Sequence, residues 1–386
     1  MRHDFAKRLE AVEESATVRI TQIAKELKAK GEDVIALAAG EPDFPTPAPI
    51  VEAAKQALDK GDTKYAPSFG YQSLRTAVAE WLKKRYGSPA TAENVLITPT
   101  KHAVFMSVFA LVDPGDEVAI PDPGWVTYEA CVGLAGGKVK RYACPDGKFI
   151  DIESLKKAVT KKTKLVIMGS PSNPTGMVAT KAEAKAVSDI VSDSSSYLLS
   201  DEIYECLVYD GEHTAMATLP GMFDRTITVS GFSKTWSMTG WRCGWLVAPK
   251  EIVAAANKLQ QATLTCVPGF VQRAAERALK EEASVEMMRG EFMRRRDLVL
   301  SLLAKIPSVK CPRPTGAFYV FPSYSAPGLS SVEVAERLLA EAKVAVTPGA
   351  AFGPGGERHL RISYAASEKD ISRGIARIDN WFTKLR

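Results

Sequence analysis

The chain has 386 residues and a formal net charge of +5, with 46% hydrophobic and 25% charged residues. This is an ordinary globular composition, which excludes a disordered chain, a collagen and a coiled-coil rod. The length suggests two or three domains, or one large domain with a smaller companion, and the slight positive excess does not call for nucleic acid or an anionic membrane as partner.

The first five residues, MRHDF, lack the apolar core of a signal peptide. Residues 15–30 read as a helix with Ile20, Ile23, Ala24 and Leu27 on one face and Gly31 as its stop. A short strand, DVIAL at 33–37, runs into the proline-rich crossing GEPDFPTP at 40–47, a candidate domain boundary. Helices follow at about 48–60 and 70–86, the second bracketed by Gly70 and Gly87. Then short apolar runs alternate with helical patterns: VLIT at 95–98, EVAI at 117–120, KLVIM at 164–168, YLLS at 197–200, TITV at 226–229 and GWLVA at 244–248. Continuous apolar runs separated by helices predict a mostly parallel sheet covered on both faces. The longest apolar stretch, residues 103–112, is too short to span a bilayer. Beyond residue 250 the pattern turns to long helices, and RRRD at 294–297 reads as a solvated helix face. Strands AFYV at 317–320 and HLRISY at 359–364 precede a terminal helix from Glu368. The expected architecture is α/β: a large domain over 46–280, and a smaller α+β domain built from 1–45 and 281–386.

Several chemistries are absent. The six cysteines form no CxxC pair and the four histidines are far apart, with no HExxH. A chain this long needs no disulfide staples, so the cysteines are expected to be reduced and mostly buried, in a cytoplasmic protein. There is no GxSxG elbow, no GxGxxG and no GxxxxGK[ST].

Three strand ends carry the candidate chemistry. SGFSKT at 230–235 puts Lys234 after an apolar run, where open α/β sheets bind ligands. Position alone leaves two readings, a solvated loop lysine or a Schiff-base nucleophile that must be partly desolvated. Ser230, Ser233 and Arg242 nearby form a hydroxyl–guanidinium set suited to phosphate; Arg242 by itself is equally a surface ion-pair residue. In SDEIY at 200–204, Asp201 is either a turn aspartate or a buried carboxylate needing a cation such as a pyridinium nitrogen. Tyr204 could then donate to a phenolate on the same ring. GSPSNPTG at 169–176 is a rigid turn in which Asn173 orients a ring substituent or closes a plain Asx turn.

Taken together, SPSNPTG, SDEIY, SGFSKTWSMTGWRCGW and HLRISYA, in this order, resemble the fold-type I pyridoxal-phosphate aminotransferases, class I, aspartate aminotransferase branch. AAGEPDFPTP and KYAPSFGYQSLR extend the likeness from about Ser15 to the C-terminus. The resemblance implies pyridoxal 5′-phosphate on Lys234, Asp201 paired with the pyridinium, Tyr204 and Asn173 on the ring oxygen, and Trp125 stacked on the ring. It further implies Ser230 and Arg242 on the phosphate, Thr100 and Lys101 at a phosphate-binding helix start, and Arg361 with the Gly40 backbone on the substrate α-carboxylate. Trp125, Asn173 and Lys101 are expected to touch substrate as well. Tyr65 is expected to reach the phosphate of a neighbouring subunit in a homodimer with shared sites. One departure is that ITPTKH at 97–102 has no glycine in the turn before that helix.

The implied reaction moves the amino group of aspartate or glutamate to a 2-oxo acid such as 2-oxoglutarate, in a ping-pong cycle. An aromatic or alanine aminotransferase of the same branch is the nearest alternative. A lyase would need a leaving group at Cβ or Cγ, which no residue here identifies. A pyridoxal-phosphate-binding regulator would need a DNA-binding domain for which the chain is expected to leave no room. Prephenate is expected to be a poor substrate, because VEE at 12–14 would repel a second carboxylate.

Overall fold

The computed structural model describes residues 5–12 and 16–385. Seven strands form the central sheet: β1 (Val95–Ile97), β2 (Glu117–Asp122), β3 (Lys138–Ala143), β4 (Thr163–Gly169), β5 (Tyr197–Asp201), β6 (Thr226–Gly231) and β7 (Gly244–Val247). Their spatial order is β1-β7-β6-β5-β4-β2-β3. All neighbours pair in parallel except β7, which runs antiparallel to β1 (Val247 opposite Val95) and to β6 (Val247 opposite Thr228). The inner strands β5 and β6 are almost wholly buried, which is why their sequences are continuous apolar runs.

β3 is the strand the apolar pattern does not reveal. Its sequence KVKRYA is half charged and it forms a partly exposed edge of the sheet. A lysine-rich edge strand resists pairing with other chains, and carries no apolar run to recognise.

Because β2, β4, β5 and β6 are parallel, their carboxyl ends lie on one side of the sheet. The chain leaves β4 toward Asn173, β5 toward Tyr204 and β6 toward Lys234. Chain segments from both ends close over this side. Ile35 pairs with Val344 in parallel, and the strand Leu360–Ser363 pairs with Tyr319–Val320 and Thr347–Pro348. One core cluster joins Ile20, Ile35 and Leu37 to Phe292, Val320, Ile362 and Trp381, so residues more than 300 apart in sequence share one apolar interior.

Two sequence expectations change. In the helix Ala16–Ala29, Ile20 and Ala24 are buried, but Ile23 is 37% exposed; Ser15 lies outside the described residues. The RRRD run is not a solvated face. It sits in the helix Glu282–Leu303, where Arg295 and Arg296 are buried while Arg294 and Asp297 are exposed. Arg295 donates to Asp43 at 2.7 Å, and Arg296 donates to Asp210 at 2.6 Å and to the Pro314 carbonyl at 3.2 Å. Long apolar stems and five fixed donors let arginine enter a core where carboxylates wait.

Candidate active site

A cavity of about 450 Å³ opens at the carboxyl ends of the parallel strands. Lys234 enters it from the one-turn helix Phe232–Thr235, directly after β6. Its Nζ donates to the Gly40 carbonyl at 2.5 Å. Burial lowers the ammonium pKa to about 8; Glu41 opposes the shift, while Arg361 and Arg242 add to it. A lysine in this state is neutral often enough to act as a nucleophile or base.

Asp201 closes β5 and is buried. Its Oδ2 accepts from Tyr128 Oη at 2.8 Å and its Oδ1 from the Ile203 amide at 3.3 Å. Burial raises its pKa to about 6 despite these two donors. Among the described residues Asp201 makes no ion pair, although the Lys234 charge favours its ionised form, and a buried carboxylate without a close cation is costly. The phenol of Tyr204 shares a hydrogen bond of 2.7 Å with Tyr319, and burial holds it neutral far above the usual tyrosine range.

Arg361, on the strand Leu360–Ser363, is 2% exposed. It donates to Asn173 Oδ1 at 3.0 Å, to the Ala38 carbonyl at 2.7 Å and to Thr347 at 3.3 Å, and lies 4.5 Å from the Tyr319 ring centre. Its Nε is buried without a protein acceptor. A Cβ on Gly40 would come within 3.1 Å of Tyr319 Oη and 4.0 Å of Arg361, so a side chain here would push Tyr319 aside.

At the other end of the cavity stand Thr100, Lys101, Ser233 and Arg242. Thr100 begins the helix Thr100–Leu111 and donates to the Ser230 carbonyl at 2.9 Å. The free amides of a helix start suit an anion even without a glycine. Arg242 is held at φ 57°, in the left-handed region, a conformation that costs a non-glycine residue on the order of 1 kcal/mol and is often retained at functional sites. Lys101 Nζ lies 5.2 Å from the Trp125 ring centre, and burial, with Arg242 nearby, lowers its pKa.

The structure brings together Gly40, Thr100, Lys101, Trp125, Asn173, Asp201, Tyr204, Lys234, Arg242 and Arg361. It does not bring Ser230. That hydroxyl points behind the sheet end, donating to Glu205 at 2.7 Å, and Ser233 lines the cavity instead. The reason is the strand's alternation: Ser230 is fully buried within β6, whereas Ser233 lies beyond it. Tyr65 is 89% exposed and does not line this chain's cavity. Tyr128 and Tyr319 were not singled out by sequence. No local signal marks them, since Tyr128 meets Asp201 across 73 positions.

Four cations and one carboxylate, Asp201, line the cavity among the described residues. That balance suits two anionic groups around a flat, positively charged ring. Pyridoxal phosphate meets these demands. Asp201 makes no ion pair among the described residues, the Thr100–Arg242 end suits a phosphate, and the orphaned Arg361 Nε suits a substrate carboxylate.

Comparisons with known proteins agree. Residues 32–378 match the family described as "Aminotransferase class I and II". The chain is 44% identical over 385 residues to an aspartate aminotransferase of Pyrococcus abyssi, covering 97% of each chain. It is 43% identical to aromatic-amino-acid aminotransferase 2 of Thermococcus litoralis, again covering 97% of each. A solved structure of Thermus thermophilus aspartate aminotransferase with maleate superposes with a TM-score of 0.94, at 40% identity, covering 98% of this chain and 99% of that one. With a cavity built for this cofactor and a match over most of its length, the chain belongs to the class I and II aminotransferases, a family that works with pyridoxal phosphate.

Proposed function

We propose that the protein transfers the amino group of aspartate or glutamate to a 2-oxo acid such as 2-oxoglutarate, in two alternating half-reactions. The observation that carries the substrate choice is Lys101. Its ammonium lines the same cavity as Arg361 and makes no ion pair among the described residues. Arg361 serves the α-carboxylate that every amino acid has, so a second cation is needed to select an acidic side chain.

Pyridoxal phosphate, when bound, supplies an electron-withdrawing ring that accepts the electron pair left at Cα when its proton departs. The remaining work belongs to this chain. Lys234 would hold the cofactor at rest and, once released, its Nζ would serve as the base that takes up and returns the substrate's Cα proton. Asp201 keeps the ring nitrogen protonated, and Tyr128 holds the carboxylate in place. Tyr204 and Asn173 would serve the ring oxygen, and Trp125 would pack against the ring. Thr100, Ser233 and Arg242 hold the phosphate. Arg361 fixes the substrate with Cα near Lys234, aided by the Gly40 backbone.

The family resemblance implies a homodimer in which Tyr65 serves the neighbouring phosphate, and a large aromatic side chain that is 89% exposed is compatible with that. The six cysteines are free, which supports a cytoplasmic setting. Among the described residues no helix is long and apolar enough to cross a membrane. One core cluster drawn mostly from the chain ends, with Tyr204 and Leu207 joining it and Val285 packing into a central cluster instead, supports domain limits near residues 45 and 281.

One observation favours an aromatic substrate as the second reading: Trp125, Tyr142 and Phe149 line the cavity wall. Mixing the enzyme with single amino acids, without a 2-oxo acid, separates the readings through the cofactor's absorbance change. Aspartate and glutamate should react fastest. Faster reaction with phenylalanine would overturn the acidic assignment.

A further inference from the structure

A second cavity, of about 720 Å³, shares no lining residue with the first. Arg85, Tyr86, Glu205, His213, Glu286 and Arg289 are part of its wall. Glu202 and Glu205 are 0% and 3% exposed, and the His213 side chain is 3% exposed. One ligand atom from each of these three lies within 4.8 Å of the other two.

Their hydrogen bonds leave specific atoms over. Glu202 Oε1 accepts from Ser200 at 2.8 Å and from the Met216 amide at 3.2 Å, and its Oε2 faces His213 Nε2 at 2.9 Å. Glu205 Oε1 accepts from Ser230 at 2.7 Å. Glu205 Oε2 and His213 Nδ1 are buried without a protein partner. Buried polar atoms are nearly always satisfied, so the unpaired Glu205 oxygen beside the His213–Glu202 pair points to a ligand. The Tyr86 ring packs edge-on against His213 at 5.3 Å and fixes the imidazole. Arg85 opposes a cation here; its Nε donates to Tyr86 Oη at 3.1 Å and its guanidinium lies over the Trp81 ring. Two carboxylates outweigh it.

We propose that Glu202, Glu205 and His213 bind one divalent transition-metal cation of the zinc type, at a site separate from the catalytic cavity. Two carboxylate oxygens and one imidazole nitrogen are a suitable donor set, with a fourth position open toward the second cavity. Ligands at about 2.0 Å in a tetrahedron stand about 3.3 Å apart, so with every pair within 4.8 Å none needs to close by more than about 1.5 Å. Ser200, the Met216 amide and Ser230 form the outer shell that orients both carboxylates. The cation displaces the proton between His213 and Glu202 and any proton on Glu205, whose carboxyl is pushed up to about 7 by burial and then by the Glu202 charge. It ties the turn beside Asp201 to the loop carrying His213.

The test is equilibrium dialysis of the chelator-treated holoenzyme against Zn²⁺. The wild type should bind one equivalent per chain at this site. Glu205→Gln and His213→Gln should each weaken binding by at least the roughly 10–100-fold that loss of an outer-shell partner costs. No zinc on the wild type, or unchanged affinity in either folded variant, overturns the site. X-ray absorption of the zinc-loaded wild type needs no variant: a nitrogen and oxygen shell with one imidazole supports the site, and a sulfur shell, from the cysteines, sinks it.

Discussion

Arg361 and Asn173, 188 positions apart, meet in a hydrogen bond of 3.0 Å. The arginine comes from a strand near the C-terminus and the asparagine from the turn after β4. In the proposed function this pair would join the substrate's anchor to a residue beside the cofactor's ring, so that binding and chemistry share one corner.

The lysine is the first test. Lys234→Ala should retain pyridoxal phosphate only by non-covalent contacts, lose the absorbance of the lysine-bound cofactor and lose turnover. A Lys234→Ala enzyme with wild-type activity would show that the chemistry lies elsewhere.

Asp201 and Tyr128 form the second. Without its carboxylate partner the ring nitrogen is poorly held as a cation, so Asp201→Ala should lower the single-turnover rate by about 10²–10³-fold or more, the scale of one lost electrostatic stabiliser. Tyr128→Phe should cost less, because it removes a neutral donor worth about 1 kcal/mol. Rapid-mixing absorbance gives both rates. A larger loss from Tyr128→Phe than from Asp201→Ala would reverse their assigned order.

Lys101 tests the proposed substrate choice. Truncating one partner of a desolvated charge pair costs about 2–5 kcal/mol, so Lys101→Ala should lower kcat/KM for aspartate tens-fold or more and spare alanine. Equal losses for both amino acids would assign Lys101 to the phosphate instead.

Shared sites can be read from mixtures. Tyr65→Phe and Lys234→Ala subunits, unfolded and refolded together, should form hybrids that regain one undamaged site, raising activity above the sum of the separate proteins. Activity that stays at that sum would mean each chain completes its own site.

The lowered Lys234 pKa has a measurable sign. In the cofactor-free protein the folded value, about 8, lies below the ordinary 10.5. Between these values the unfolded chain holds more protons, so this group's contribution to stability rises with pH across that window. Urea midpoints measured from about pH 8 to about pH 10 should rise for wild type relative to Lys234→Met. A flat difference would mean that the amine titrates normally.

Much of the scaffold was legible in the order of residues alone. Strands buried on both faces must be apolar throughout, so six of the seven central strands announce themselves, and their carboxyl ends place Asn173, Asp201 and Lys234 at the mouth of a parallel sheet. Turn chemistry at 169–176 and the motif order pointed to the same family that the full-length comparisons show. What tertiary structure decided were the contacts made across long sequence separations, which no local period encodes. The polar edge strand Lys138–Ala143 is defined only by its neighbour β2. Arg295 and Arg296 look solvated until Asp43 and Asp210 arrive from distant segments. Ser230 and Ser233 are chemically alike and three positions apart, yet strand alternation and the nearby carboxylate of Glu205 turn one away from the cavity while the other lines it. Tyr128 becomes a partner of Asp201 because two strand ends and a helix start converge in space. Side-chain direction, more than residue type, separates the members of the site from their neighbours, and that direction is set by packing.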